Sequence, residues 1–143
     1  MNPNISRRVF SFLALSALTA DWSFGAAAAP GDEAQKAAEH WLALIDAGKF
    51  ADSWETAAAY FKKAVSKEKW ESSLGAIRQP LGALVSREFK SAKYSKSLPG
   101  APDGDYVVLQ FYTSFEHKKE AVETVTPMLD KDGQWRVSGY FIK

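Results

Sequence analysis

No cysteine occurs anywhere in this chain. Thiolate nucleophiles, cysteine-ligated zinc, iron–sulfur clusters and disulfides are therefore excluded together. Histidine is nearly as scarce, with His40 and His117 the whole supply for imidazole chemistry. A surplus of one charge is missing too: 18 basic against 17 acidic side chains in 143 residues leave no field for wrapping nucleic acid or docking electrostatically on a membrane. Nor does the main apolar stretch, twelve residues from Val9 to Ala20 and closed by Asp21, reach the roughly 20 residues of a bilayer span. What is present is a 46% apolar composition, enough for one domain with a real core and too little chain for two.

The first 28 residues read as a cleaved signal peptide. Arg7 and Arg8 precede the apolar stretch, and an alanine run from Ala26 to Ala29 follows it, with Ala26-Ala27-Ala28 as the small-residue cleavage site. Ser6-Arg7-Arg8-Val9-Phe10 resembles the twin-arginine export signature, although Ser11 and Phe12 depart from it and arginine pairs also occur in general secretory leaders. The mature domain is then 29–143, with sixteen side chains of each charge once Arg7, Arg8 and Asp21 are gone. A periplasmic or secreted location, with no membrane attachment after cleavage, is the expectation.

Apolar residues at helical spacing (Ala34, Ala38, Trp41, Leu44, Ile45) predict a first helix from Asp32, a candidate N-cap, to Gly48. Asp52 with Glu55 suggests a capped start for a second helix carrying Trp54, Ala57, Phe61 and Val65, and Ser66 caps a third with Trp70, Leu74 and Ile77, ended by Pro80. Asp46 and Asp52 border the interhelical turn and read as capping or solvated groups. Beyond Gly82 the period falls to two and β-branched and aromatic residues dominate. Strands are predicted at Leu84–Tyr94, Asp105–Glu116, Lys119–Leu129 and Gln134–Ile142. Their short connections require antiparallel pairing. The fold class is α+β, three N-terminal helices on one face of a four-stranded antiparallel meander.

A two-residue turn at His117-Lys118 pairs Tyr112 with Glu123, Gln110 with Val125 and Phe111 with Thr124. Parity then sorts the sheet. One face, expected to be the core, collects Val107, Leu109, Phe111, Val122, Thr124, Met128, Trp135, Val137 and Phe141. The other collects the candidate binding or interface residues Gln110, Tyr112, Glu123, Arg136, Ser138 and Tyr140. A tyrosine- and arginine-bearing patch of this kind suits an interface, a homodimer among the partners it would serve. His40 reads as a partly exposed helix residue and His117 as a solvated turn residue. No metal site or cofactor is expected, and no catalytic residue is assigned. The basic excess between Lys49 and Lys96 reads as a solvated face.

The segments Trp41-Leu42-Ala43-Leu44-Ile45-Asp46, Gly48 to Trp54, Arg78-Gln79-Pro80-Leu81-Gly82, Leu98-Pro99-Gly100, Glu123-Thr124-Val125-Thr126 and Asp132 to Tyr140 resemble an uncharacterised bacterial exported family (domain of unknown function 4019). The order of helices then meander, with Asp132-Gly133-Gln134-Trp135 opening the last strand, is similar to the nuclear transport factor 2-like (cystatin-like) cone. That fold hosts isomerases, dehydratases and non-enzymatic binding modules alike, so it cannot choose among them. The residues favour a non-enzymatic module that binds a protein partner or small ligand. The alternative is a small pocket enzyme of the isomerase/dehydratase type, which would need a buried acid–base pair.

Overall fold

The computed structural model describes residues 30–143; the signal peptide expected at 1–28 lies outside them. The chain runs α1 (Pro30–Asp46), α2 (Phe50–Glu55), α3 (Ala59–Ala64), α4 (Lys67–Arg78), a 3-10 turn (Gln79–Leu81), β1 (Leu84–Ser95), β2 (Tyr106–Phe115), β3 (Lys118–Leu129) and β4 (Trp135–Ile142). The class is α+β, with an antiparallel sheet in the order β1-β2-β3-β4. The strand limits fall within two residues of those the alternation predicts.

The helical half has four helices rather than three. The predicted second helix divides at Thr56–Ala58 because the Ala58 N–H leaves the helical ladder and donates to the Val137 carbonyl of β4 at 2.8 Å. Ala57 and Ala58 are fully buried there. α2 also starts at Phe50 without a side-chain cap, so Asp52 sits inside its first turn. Asp32 likewise falls inside the first turn of α1. Ser66 does cap α4, accepting from the Lys69 N–H at 3.3 Å.

α1 lies across β4, β3 and β2. Trp41, Leu42 and Ile45 from α1 and Trp70 and Leu74 from α4 bury against Leu109, Phe111, Val125 and Val137. Ser53 ties the helices together: its carbonyl accepts from the Trp41 indole at 2.8 Å and its hydroxyl from the Trp70 indole at 2.9 Å. On the other face of the sheet, Tyr106 and Met128 are covered by Ala58, Tyr60, Leu98 and Ala101.

Two bulges decide which side chains share a face. The β2–β3 turn is Glu116-His117, one residue earlier than predicted, since Phe115 stands opposite Lys118. That alone would keep odd residues opposite even ones. A bulge on β3, where Lys119 and Glu120 together stand against Ser114, then shifts the ladder, so that Phe111 faces Glu123, Leu109 faces Val125 and Tyr112 faces Val122. A second bulge, at Ser138 on β4 opposite the Thr126–Pro127 step, leaves Val137 opposite Pro127 but sets Tyr140 opposite Val125. The expected face assignment is thereby corrected in β3 and in the end of β4. Glu123 and Val125 turn toward the helices, and Val122 and Thr124 turn away. Tyr140 turns inward and Phe141 outward, half exposed. One extra residue in a strand inverts everything beyond it.

Candidate functional site

Burying a carboxylate costs several kcal/mol unless donors surround it, and the sheet register puts the Glu123 side chain fully inside, at 0% exposure. It is surrounded. Arg87 Nε of β1 donates to Oε1 at 2.7 Å, Thr113 Oγ1 of β2 donates to the same oxygen at 2.6 Å, and Tyr140 Oη of β4 donates to Oε2. Each strand thus contributes one group, and all four groups lie on the helix-facing side.

The network continues to the end of α1. The remaining nitrogens of Arg87 bind Asp46 end-on, Nη1 to Oδ2 at 2.7 Å and Nη2 to Oδ1 at 3.1 Å. Arg78, from the last turn of α4, donates through Nη2 to Asp46 Oδ1 at 3.0 Å while its guanidinium lies 4.8 Å from the centre of the Phe115 ring. Two arginines and two carboxylates make the cluster neutral, which is what allows its burial. Burial works against the Arg87 charge, but the hydrogen bonds to Asp46 and Glu123 outweigh it, and its pKa is raised. Burial, and then the adjacent Glu123 carboxylate, push the Tyr140 phenol well above the usual range. Tyr140 is therefore a neutral donor at physiological pH. Its ring meets Trp41 edge-on at 5.2 Å.

Asp46 and Arg78 border a groove of about 390 Å³ whose other walls include Phe50, Gly75 and Gly82. Gly82 is required there: its φ is +73°, and a Cβ would come within 2.9 Å of the Glu116 Cβ. A larger groove, about 710 Å³, opens around Tyr112, with Glu88, Lys119, Glu120, Val122 and Lys143 along it. Tyr112 is 53% exposed, and Lys90 Nζ stands 5.7 Å from the centre of its ring.

The six candidate residues do not form one cluster. Gln110 and Tyr112 stay on the outer face; Gln110 accepts from Lys90 at 3.0 Å. Glu123 and Tyr140 move inside, where they touch each other. Arg136 is at the β3–β4 turn, paired with Asp132 at 2.8 Å and Asp130 at 3.0 Å, which holds the Asp132 carboxyl down at about 2. Ser138 lies at the second bulge and donates to the Thr126 carbonyl at 2.8 Å. Asp46, read as a capping group, is instead the meeting point of both arginines. Arg87 and Thr113 gave no sequence signal: a lone arginine in a polar edge strand reads as solvated. Arg78 and Asp46 did have one, since both stand in segments that carry the family resemblance. His40 is exposed, as is His117 beside Glu116. Among the described residues no group of three metal-ligating side chains occurs, and no helix is long and apolar enough to cross a membrane.

A family model described as Protein of unknown function (DUF4019) matches residues 37–140. The chain belongs to the DUF4019 family. No curated protein matches it. The DUF4019 match spans Asp46, Arg78, Arg87, Thr113, Glu123 and Tyr140, so the whole buried cluster lies within the family domain, as does the outer groove except for Lys143.

Proposed function

We propose that this DUF4019 chain is an exported, non-enzymatic binding module that works through the outer face of its sheet and there engages a second copy of itself. The scaffold we envisage is a nuclear transport factor 2-like cone. Export is supported by the arginine pair, apolar stretch and alanine run that precede the domain.

The observation that carries the reading is a division of labour between the two faces. Under the helices, the Asp46 and Glu123 carboxylates are both held by arginine, and Glu123 accepts two hydroxyl hydrogen bonds as well. Carboxylate oxygens already occupied by donors lack the open approach that a general base needs. On the outer face Tyr112 and Phe141 are more than half exposed beside an open groove. Its rim alternates Glu88 and Glu120 with Lys119 and Lys143, and a two-fold contact demands such self-complementarity.

Light scattering on the full chain at several hundred micromolar tests this. A dimer that becomes monomeric in Tyr112→Arg or Phe141→Arg, with unchanged circular dichroism, is the expected result; a monomeric parent chain would end the proposal. The enzyme reading draws on one observation, the buried Tyr140–Glu123 pair near a groove reached by Asp46. It would gain if a small ligand shifted the NMR signals of Asp46 and Arg78 and was chemically altered by the chain.

A further inference from the structure

β1 is an edge strand, and among the described residues its outer edge bonds to no other backbone. Unpaired edges template further strands, and lysines commonly guard them. Here the edge is sorted by side. From Phe89 to Lys96 there are three lysines and no acidic residue. The bulge between Phe89 and Ser91 resets the alternation, so Phe89 opposite Phe111, Ala92 opposite Leu109 and Tyr94 opposite Val107 all share the helix-facing side. The helices do not cover them there: Phe89 is 49% and Tyr94 50% exposed. Lys93 stands opposite Val108 on the outer side, and Lys90 reaches the same side to Gln110 and Tyr112. Lys96 is neutralised by Asp105 at 2.9 Å; Lys90 and Lys93 have no acidic partner among the described residues.

We infer that β1 is a docking edge for an extended segment of another protein in which apolar residues alternate with aspartate or glutamate. Added as a fifth strand, such a segment sets its apolar side chains beside Phe89, Ala92 and Tyr94 and its carboxylates beside Lys90 and Lys93, with main-chain bonds supplying affinity and the alternation supplying specificity. A second copy of β1 is the poorer occupant, because its Phe89–Ser95 stretch brings lysines and no carboxylate to Lys90 and Lys93, and like charges on paired strands repel. The docking stretch Phe89–Ser95 is not among the walls of the outer-face groove, which takes Ser86 and Glu88 from β1, so either inference can fail without the other.

The test uses the full-length chain and two blocked seven-residue peptides, one alternating valine with glutamate and one alternating valine with lysine. NMR-detected hydrogen exchange should slow at backbone amides between Phe89 and Ser95 with the glutamate peptide, while the Phe141 signals stay in place. The lysine peptide should bind at least about tenfold more weakly, and Lys93→Glu should reverse the order of the two peptides with unchanged circular dichroism. Equal binding of both peptides, protection outside β1, or no protection at millimolar glutamate peptide would each overturn the inference.

Discussion

At the scale of single residues, the cluster around Glu123 behaves as one unit. Replacing Arg87 by Leu leaves Glu123 charged in the interior with only hydroxyl donors, and urea denaturation should report a loss of about 3–5 kcal/mol. Adding Glu123→Leu to Arg87→Leu should recover part of that loss, because Asp46 keeps Arg78 and no buried charge is left alone. Ser53→Ala orphans the Trp70 indole N–H and should cost about 1–3 kcal/mol, with a visible change in tryptophan fluorescence. Tyr140 fixes a pH dependence. Its folded pKa is raised, so the unfolded chain loses the proton first; its stabilising contribution is complete below about pH 10 and declines as pH rises beyond it. Melting temperatures should fall less steeply above pH 10 in Tyr140→Phe than in the parent. Glu123 and Tyr140 were legible as neighbours from strand order, but not as buried ones. The partners that make burial tolerable, Arg87 and Asp46, come from segments 36 and 77 positions before Glu123, beyond any local pattern.

At the scale of elements, the bulge in the β2–β3 ladder is the decisive feature. Its extra residue lies on β3, where Lys119 and Glu120 together stand against Ser114; pairing continued unbroken from Phe115 and Lys118 would turn Glu123 and Val125 outward and Val122 and Thr124 inward. Deleting Glu120 removes the surplus residue and leaves Glu123 opposite Phe111, so the expected outcome is a retained cooperative thermal transition with unchanged near-ultraviolet circular dichroism. Gly82→Ala forces a positive φ and a close approach to Glu116; about 1–3 kcal/mol is the expected loss by urea denaturation. Strand limits were legible because alternation is written directly into residues such as Val107, Leu109 and Phe111. A bulge leaves no mark of that kind, since Lys119 and Glu120 are ordinary polar residues at the start of a strand. The break between α2 and α3 escaped for a related reason: Trp54, Ala57, Phe61 and Val65 keep helical spacing straight through it, and what interrupts the helix is a carbonyl of β4 about eighty residues later.

At the scale of the whole molecule, the sheet separates an interior whose carboxylates are held by arginine from an outer face that keeps exposed apolar side chains at Tyr112 and Phe141. If that face joins two copies, dilution should dissociate them and added salt should weaken the mixed-charge rim, both readable by sedimentation velocity. Composition and periodicity by themselves determined the α+β class, the antiparallel meander, the absence of thiol chemistry and the placement of Gln110 and Tyr112 outside, because each follows from local sterics or from counting side chains. Tertiary structure alone decided that Glu123 and Tyr140 lie inside. A carboxylate enters a core only where distant arginines meet it, and a one-residue bulge, invisible to alternation, is what turns it toward them.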